Sequence, residues 1–263
     1  MLPSRWHIPA LLLSLLACQA ASAQTGPVMG TLEVSGRVKI GAKTEQVKRK
    51  RFYLIRGSLT ENKALIDRLK AADVTSRECF YCKLKASPEY SAWLKAGDCE
   101  SPYCREITSE DIAKVPEFQV AFQKGMKQYR GKEVIARQWL TTNLVPELRD
   151  GFYRQRRSVT ESLLAGIKPL QSSMTDSVSV KAIFFDIPVK PETAGKATQT
   201  FLITNIVPIE IGSKSYVWAC EKDIGIKKVT LQLPVPENNK PAKNCEVIVR
   251  ELPDCSSGTC AQK

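Results

Sequence analysis

The sequence predicts an α+β fold: an antiparallel β-sandwich made from the N- and C-terminal segments, interrupted by a disulfide-bearing α-helical insertion. Three observations lead there. Strand-like alternation is confined to the two ends of the chain, helical periodicity fills the middle, and the cysteines fall into one group in the middle and one at the C-terminal end. With 263 residues, 43% hydrophobic and 25% charged, the chain can bury a sizeable core, which excludes wholesale disorder.

Residues 1–23 read as a secretory signal. Arg5 is the basic start, Ala10–Ala17 the short apolar run, and Ala21-Ser22-Ala23 a small-residue cleavage site. The apolar run is too short for a transmembrane helix, and no later stretch is long enough, so an exported protein without a membrane span is expected, periplasmic or extracellular. Leu15-Leu16-Ala17-Cys18 resembles a bacterial lipobox, which leaves lipid anchoring through Cys18 as a second route. Cleavage after Ala23 removes Arg5 and Cys18, leaving 38 cations against 27 acids, a net +11, and eight cysteines. It also removes His7, the only histidine, and with it the commonest general base and metal ligand.

Residues 24–57 form the first β part. Thr31–Ile40 alternates roughly apolar with polar, Gly41–Thr44 can turn, and Val47–Ile55 reads as a second strand able to pair with the first as a hairpin. Residues 58–176 form the helical insert. Ser58 and Glu61 have capping-box spacing ahead of Leu65, Ile66 and Leu69. Ser87-Pro88-Glu89 starts a helix carrying Tyr90, Trp93 and Leu94 on one face and stopping at Gly97. Pro116 opens a helix with a stripe of Phe118, Ala121, Phe122, Met126 and Tyr129. Another passes through Val134, Ile135, Trp139, Leu140 and Leu144 and ends before Pro146, and a last one runs from Asp150 to Gly166. Residues 177–253 form the second β part, with strands at Val178–Val189, Thr198–Ile206, Lys214–Cys220, Lys227–Val235 and Cys245–Leu252, and 254–263 are a tail.

Within the later strands, Phe201–Pro208 and Tyr216-Val217-Trp218-Ala219, together with Gly36-Arg37-Val38 and Phe52–Ile55 near the start, resemble carboxypeptidase regulatory-like domains. These are small transthyretin-type β-sandwiches. The resemblance implies a sandwich fold for the two β parts and carries no catalytic residues. The chain departs from the pattern in the seven residues separating Pro208 from Tyr216 and in the helical stretch between its β parts.

The cysteines admit several chemistries. Cys79-x2-Cys82 and Cys99-x4-Cys104, sixteen residues apart, suit tetrahedral zinc, two disulfides or a redox Cys-x-x-Cys. Export favours disulfides, and the expected pairing is nested, Cys79 with Cys104 and Cys82 with Cys99, enclosing the Trp93 helix. At the other end Cys220 and Cys245 end and begin strands and are expected to clip them together, leaving Cys255 and Cys260 to close a small loop.

Without histidine no Ser-His-Asp or Cys-His site can form in the mature chain. No Gly-rich phosphate loop of either common type occurs, and no cofactor is expected. A hydrolase using two carboxylates remains the enzymatic alternative, with Asp98, Glu100 and Glu106 near the cysteine loop. Charge carries the stronger signal. Between Arg37 and Arg56 eight cations face one acid, Glu45, and Lys48-Arg49-Lys50-Arg51 are consecutive; Arg154, Arg156 and Arg157 make a second cluster. The basic run is expected on a projecting hairpin or sheet edge, where it discourages aggregation and solubilises, or contacts an anionic envelope polymer or lipid headgroups. Nucleic acid is not expected for an exported chain. The resulting expectation is a non-enzymatic binding or structural module of the cell envelope.

Overall fold

The computed structural model describes residues 28–73, 75–189, 198–235, 243–253 and 255. The expected signal at 1–23, Cys18 and Cys260 lie outside them. The fold is mixed, with 34% helix and 32% strand, so neither class dominates.

The described residues open with β1 (Val28–Ser35), β2 (Arg37–Ile40), β3 (Lys43–Gln46) and β4 (Arg51–Arg56). The expected single hairpin is not what forms. Gly36 breaks the first stretch: a Cβ there would lie 2.7 Å from the Val47 carbonyl oxygen and 3.0 Å from Val180, so only glycine permits this close approach. β2 and β3 make a small two-stranded ribbon turning at Gly41, whose φ of +57° suits glycine. β1 instead pairs antiparallel with β6 (Lys181–Val189) and parallel with β10 (Val229–Gln232). β4 joins a second sheet, whose order is β11 (Cys245–Glu251), β9 (Lys214–Gly225), β7 (Thr198–Thr204), β4 and β5 (Gln171–Met174), with β8 (Ile209–Ile211) alongside β9. β5 and β8 were not expected. Gln171-Ser172-Ser173-Met174 has no apolar alternation to reveal it, and β8 is three residues long.

The larger sheet is buried on both faces, and the two-residue period of its strands sorts its side chains between two cores. Phe52, Leu54, Phe201, Ile203, Tyr216 and Trp218 pack against Leu32, Val34, Phe184 and Ile187 of the smaller sheet. The intervening Ile55, Leu202, Val217 and Ala219 pack against α1 (Lys63–Ala71), through Leu65, Ile66 and Leu69, and against Leu163 of α8 (Phe152–Leu163). Burial on both faces explains the near-continuous apolar runs Phe201-Leu202-Ile203 and Tyr216-Val217-Trp218-Ala219.

The helical middle has its own aromatic core. It comprises α2 (Arg77–Lys83), α3 (Pro88–Ala96), α4 (Ser109–Lys114), α5 (Pro116–Gln128), α6 (Glu133–Gln138), α7 (Leu140–Asn143) and a π-helical turn (Glu147–Gly151) leading into α8. Local signals set α3: Ser87 Oγ accepts from the Tyr90 amide, Pro88 stands at the first helical position and Gly97 caps the end. Tyr90, Trp93 and Phe118 meet edge-on, with centroids 5.6 and 5.0 Å apart for the pairs with Phe118, and Tyr81 and Phe152 complete the cluster. Ser58 and Glu61 do exchange capping-box bonds, but in the turn before α1, whose first residue is Lys63. The single helix expected over Val134–Leu144 divides at Trp139, leaving Val134 and Trp139 exposed. No helix among the described residues is long and apolar enough to cross a membrane.

The cysteines pair differently from the nested expectation. Cys99 bonds Cys104, Cys79 bonds Cys255, and Cys220 bonds Cys245. Asp98, with φ of +49°, turns the chain after α3 so that the Cys99 amide donates to Leu94 O and the thiol faces the residue five positions on. Cys79 lies on the side of α2 that meets the C-terminal segment, 5.1 Å Cα to Cα from Cys255, so Cys255 does not close a tail loop. Cys82 is also disulfide-bonded. The pair Cys220 and Cys245 sits at directly opposed positions of β9 and β11.

Candidate functional site: a cationic cleft between the sheet edge and α8

The basic run does not form a strand. Arg49 adopts φ of +54°, and Thr175 holds this stretch by backbone bonds at Arg49 N and Lys50 O, each 2.9 Å; only Arg51 belongs to β4. This break aims the run along the outer end of β4 and β5. Because side chains alternate along a strand, Arg51 and Tyr53 share one face of β4, and their register partners Met174 and Ser172 share that face of β5. Opposite stands α8, where Tyr153, Arg156, Arg157, Thr160 and Glu161 recur at three- and four-residue intervals on one side, with Leu164 capping its end. Between them lies an open cleft of about 700 Å³.

Arg49, Lys50 and Arg51 line one side of this cleft and Arg156 and Arg157 the other, so the two cationic clusters of the sequence converge. Glu100, from the Cys99–Cys104 loop, and Glu161 are the two carboxylates in the lining, leaving a cationic excess of three. Asn205, Val207 and Ile209 form the inner end. Asn205 is buried and fully engaged: its amide donates to Val207 O and Tyr216 O, and its oxygen accepts from the Trp218 amide. Lys48 is exposed and outside the lining, and Arg154 turns back to Asp150 at 2.8 Å.

The cations differ in how firmly they are held. Arg156, 11% exposed, bonds Glu100 at 3.0 Å and the Pro208 carbonyl, and its guanidinium lies 5.2 Å from the Phe152 ring centre. Lys50, 13% exposed, reaches Asp98 at 2.8 Å. These two brace the walls. Arg49 donates to Cys104 O at 3.3 Å, Arg51 to Ser172 Oγ at 3.1 Å, and Arg157 to Glu161 at 2.9 Å, all at exposed positions. Such solvated contacts are weak and exchangeable, so these three guanidiniums are the ones available to an incoming anion. Burial pushes the Tyr53 hydroxyl above its ordinary value, opposed by neighbouring Arg51; Tyr53 therefore stays a neutral donor and acceptor in the cleft.

The acids near the cysteine loop scatter. Asp98 serves Lys50 and Arg77, Glu100 enters the cleft, and Glu106 lines a separate depression beside α6. Among the described residues no group of three or more potential ligands is placed to hold a metal ion. The sequence did not single out Tyr53, Tyr153, Ser172 or Met174. The polar side of α8 at helical spacing was the available signal for Tyr153, whereas nothing local marks β5. Compared with family models, curated proteins and solved structures, the chain matches none of them.

Proposed function

We propose that the protein is an exported, non-enzymatic binding module of the cell envelope and that its cleft holds an anionic ligand. The observation that carries this reading is the convergence of Arg49, Arg51 and Arg157 on one concavity from segments a hundred residues apart in sequence. Like charges brought together cost free energy unless an opposite charge joins them, and a cleft concentrates their field. Ordinary solubilising charge has no need of a concave arrangement. In this reading the two sheets are the halves of a β-sandwich made from both ends of the chain, of the carboxypeptidase regulatory-like kind; the core they share supports it. Disulfide-bonded cysteines support an oxidising compartment.

Glu100 and Glu161 in one cleft favour a second reading, a hydrolase using paired carboxylates. Glu100 is held by the recessed Arg156 at 3.0 Å, whereas Glu161 meets the exposed Arg157 at 2.9 Å, a contact that water can exchange. The mature protein passed over an anionic matrix at low and at high salt tests the first reading. Retention that weakens with salt, and falls in Arg49→Gln/Arg51→Gln, is expected; retention unchanged by both would overturn it. Turnover of an envelope polymer, abolished in Glu161→Gln, would establish the second.

A further inference from the structure

We infer that the ligand of this cleft is a short stretch of acidic glycan, a sugar chain bearing carboxylates, lying along the groove between β4–β5 and α8. The inference rests on the anion-binding reading above and concerns what kind of anion fits.

Three features of the lining select it. The first is a chain of neighbours within the lining, Arg51, Tyr53, Tyr153 and Arg157. Arg51 neighbours Tyr53 on its strand face, Tyr53 and Tyr153 approach from opposite walls, and Tyr153 lies one helical turn before Arg157. Two tyrosines between two guanidiniums offer an apolar body with a hydroxyl tip at the centre and charge at each end. A sugar ring has apolar C–H faces and a polar rim, and a uronate adds an acid group at one edge, where a guanidinium grips it with two parallel bonds.

The second feature is the pair of carboxylates. Glu100 and Glu161 stand among the cations. The phosphodiester backbone of DNA carries a charge at every unit and no hydroxyl beside it, so it offers Glu100 and Glu161 no donor. A glycan interleaves acid groups with neutral hydroxyls that donate to carboxylates, so a lining of mixed sign suits it. The third is shape. About 700 Å³ of open cleft lies within the range of roughly 300–1,000 Å³ usual for ligand sites and admits a few sugar rings. A bilayer presents a flat surface, which a groove with Arg156 and Lys50 recessed in its walls does not meet.

The test uses the full mature protein and isothermal titration with four probes: a polyuronate hexamer, a neutral glucose hexamer, a thymidine oligonucleotide and vesicles containing phosphatidylglycerol. The hexauronate is expected to bind, more weakly at high salt, and the neutral hexamer not to bind measurably. Arg157→Gln is expected to weaken hexauronate binding roughly tenfold, the loss of one charge-assisted contact, and to flatten its salt dependence. Tyr153→Ala should weaken it to a similar degree and leave the salt dependence unchanged. Both residues are exposed, so both variants should keep the parent melting temperature. Tighter binding of the oligonucleotide or the vesicles than of hexauronate, or a Tyr153→Ala variant with parent affinity, would overturn the glycan assignment and leave the anion-binding reading standing. Failure of all three anionic probes to bind would overturn both.

Discussion

Opening the Cys220–Cys245 bridge should cost more stability than opening Cys99–Cys104, by an amount set by sequence separation. The two bridges close loops with separations of 25 and 5 residues. Loop-closure entropy in the unfolded chain then makes them worth about 3.5 and about 2 kcal/mol at 25 °C, a difference of roughly 1.5 kcal/mol. Cys220 and Cys99 are both buried, at 0 and 1% exposure, so replacing each pair by alanine removes a similar packing contribution, which cancels in the comparison. For a chain of this size each kcal/mol moves the melting temperature by about 2–4 °C, so Cys220→Ala/Cys245→Ala should melt about 3–6 °C below Cys99→Ala/Cys104→Ala. Differential scanning calorimetry of the two variants beside the parent reads this directly. Equal melting temperatures, or the reverse order, would refute the entropic account and point to native-state contacts of the Cys99–Cys104 loop as the larger contribution.

Glu33 is covered on the smaller sheet by Lys181 and Lys228 at 2.8 and 2.6 Å, whose hydrogen bonds hold its carboxyl below the ordinary value. Its contribution is present above the unfolded-state value and is lost as pH falls through the lower folded one; Glu33→Gln should therefore flatten the acid limb of a stability–pH curve. An unaltered limb would show that the lysines merely cover it. Gly36→Ala should destabilise by about 1–3 kcal/mol in urea melts, since its Cβ would meet the backbone of Val47 and Val180. Parent stability would mean that the β1–β2 junction yields. Ser87→Ala removes the cap of α3 and the Oγ donor to Glu117 at 2.7 Å, and should cost about 1–2 kcal/mol by the same measurement. A loss below about half a kcal/mol would mean that water replaces the cap.

What the sequence made legible was whatever depends on near neighbours. Ser87, Pro88 and Gly97 bracket α3 because capping, the first-turn proline and the C-terminal stop act within one helix. The runs at 201–203 and 216–219 betray strands because burial on both faces leaves no room for polar residues. The four-cation run misled for the converse reason: strand character on either side says nothing about a left-handed turn at Arg49, which depends on Thr175 from a distant segment. The disulfides divide along the same line. Cys220 and Cys245 flank adjacent strands and could be matched, whereas Cys79 with Cys255 spans 176 residues and has no local signature. Both halves of the cleft were visible as charge clusters. Their meeting is a product of β5, a strand of glutamine, serines and methionine that fixes the face of Arg51 and Tyr53 opposite α8.

The position of β4 has a consequence for the order in which the molecule assembles. β4, near the start of the chain, is flanked by β5 and β7, and β1 lies between β6 and β10, so neither early strand has a partner until residues beyond 170 have been made. The aromatic helical core, by contrast, draws almost entirely on residues 81–152 and closes through short-range contacts. Contacts distant in sequence are slow to form because the intervening loop must close first. A nascent chain would therefore carry a folded helical knot after an early strand-forming arm that stays open until residues beyond 170 emerge. The exposed β1 and β4 are during that interval the segments most in need of a chaperone.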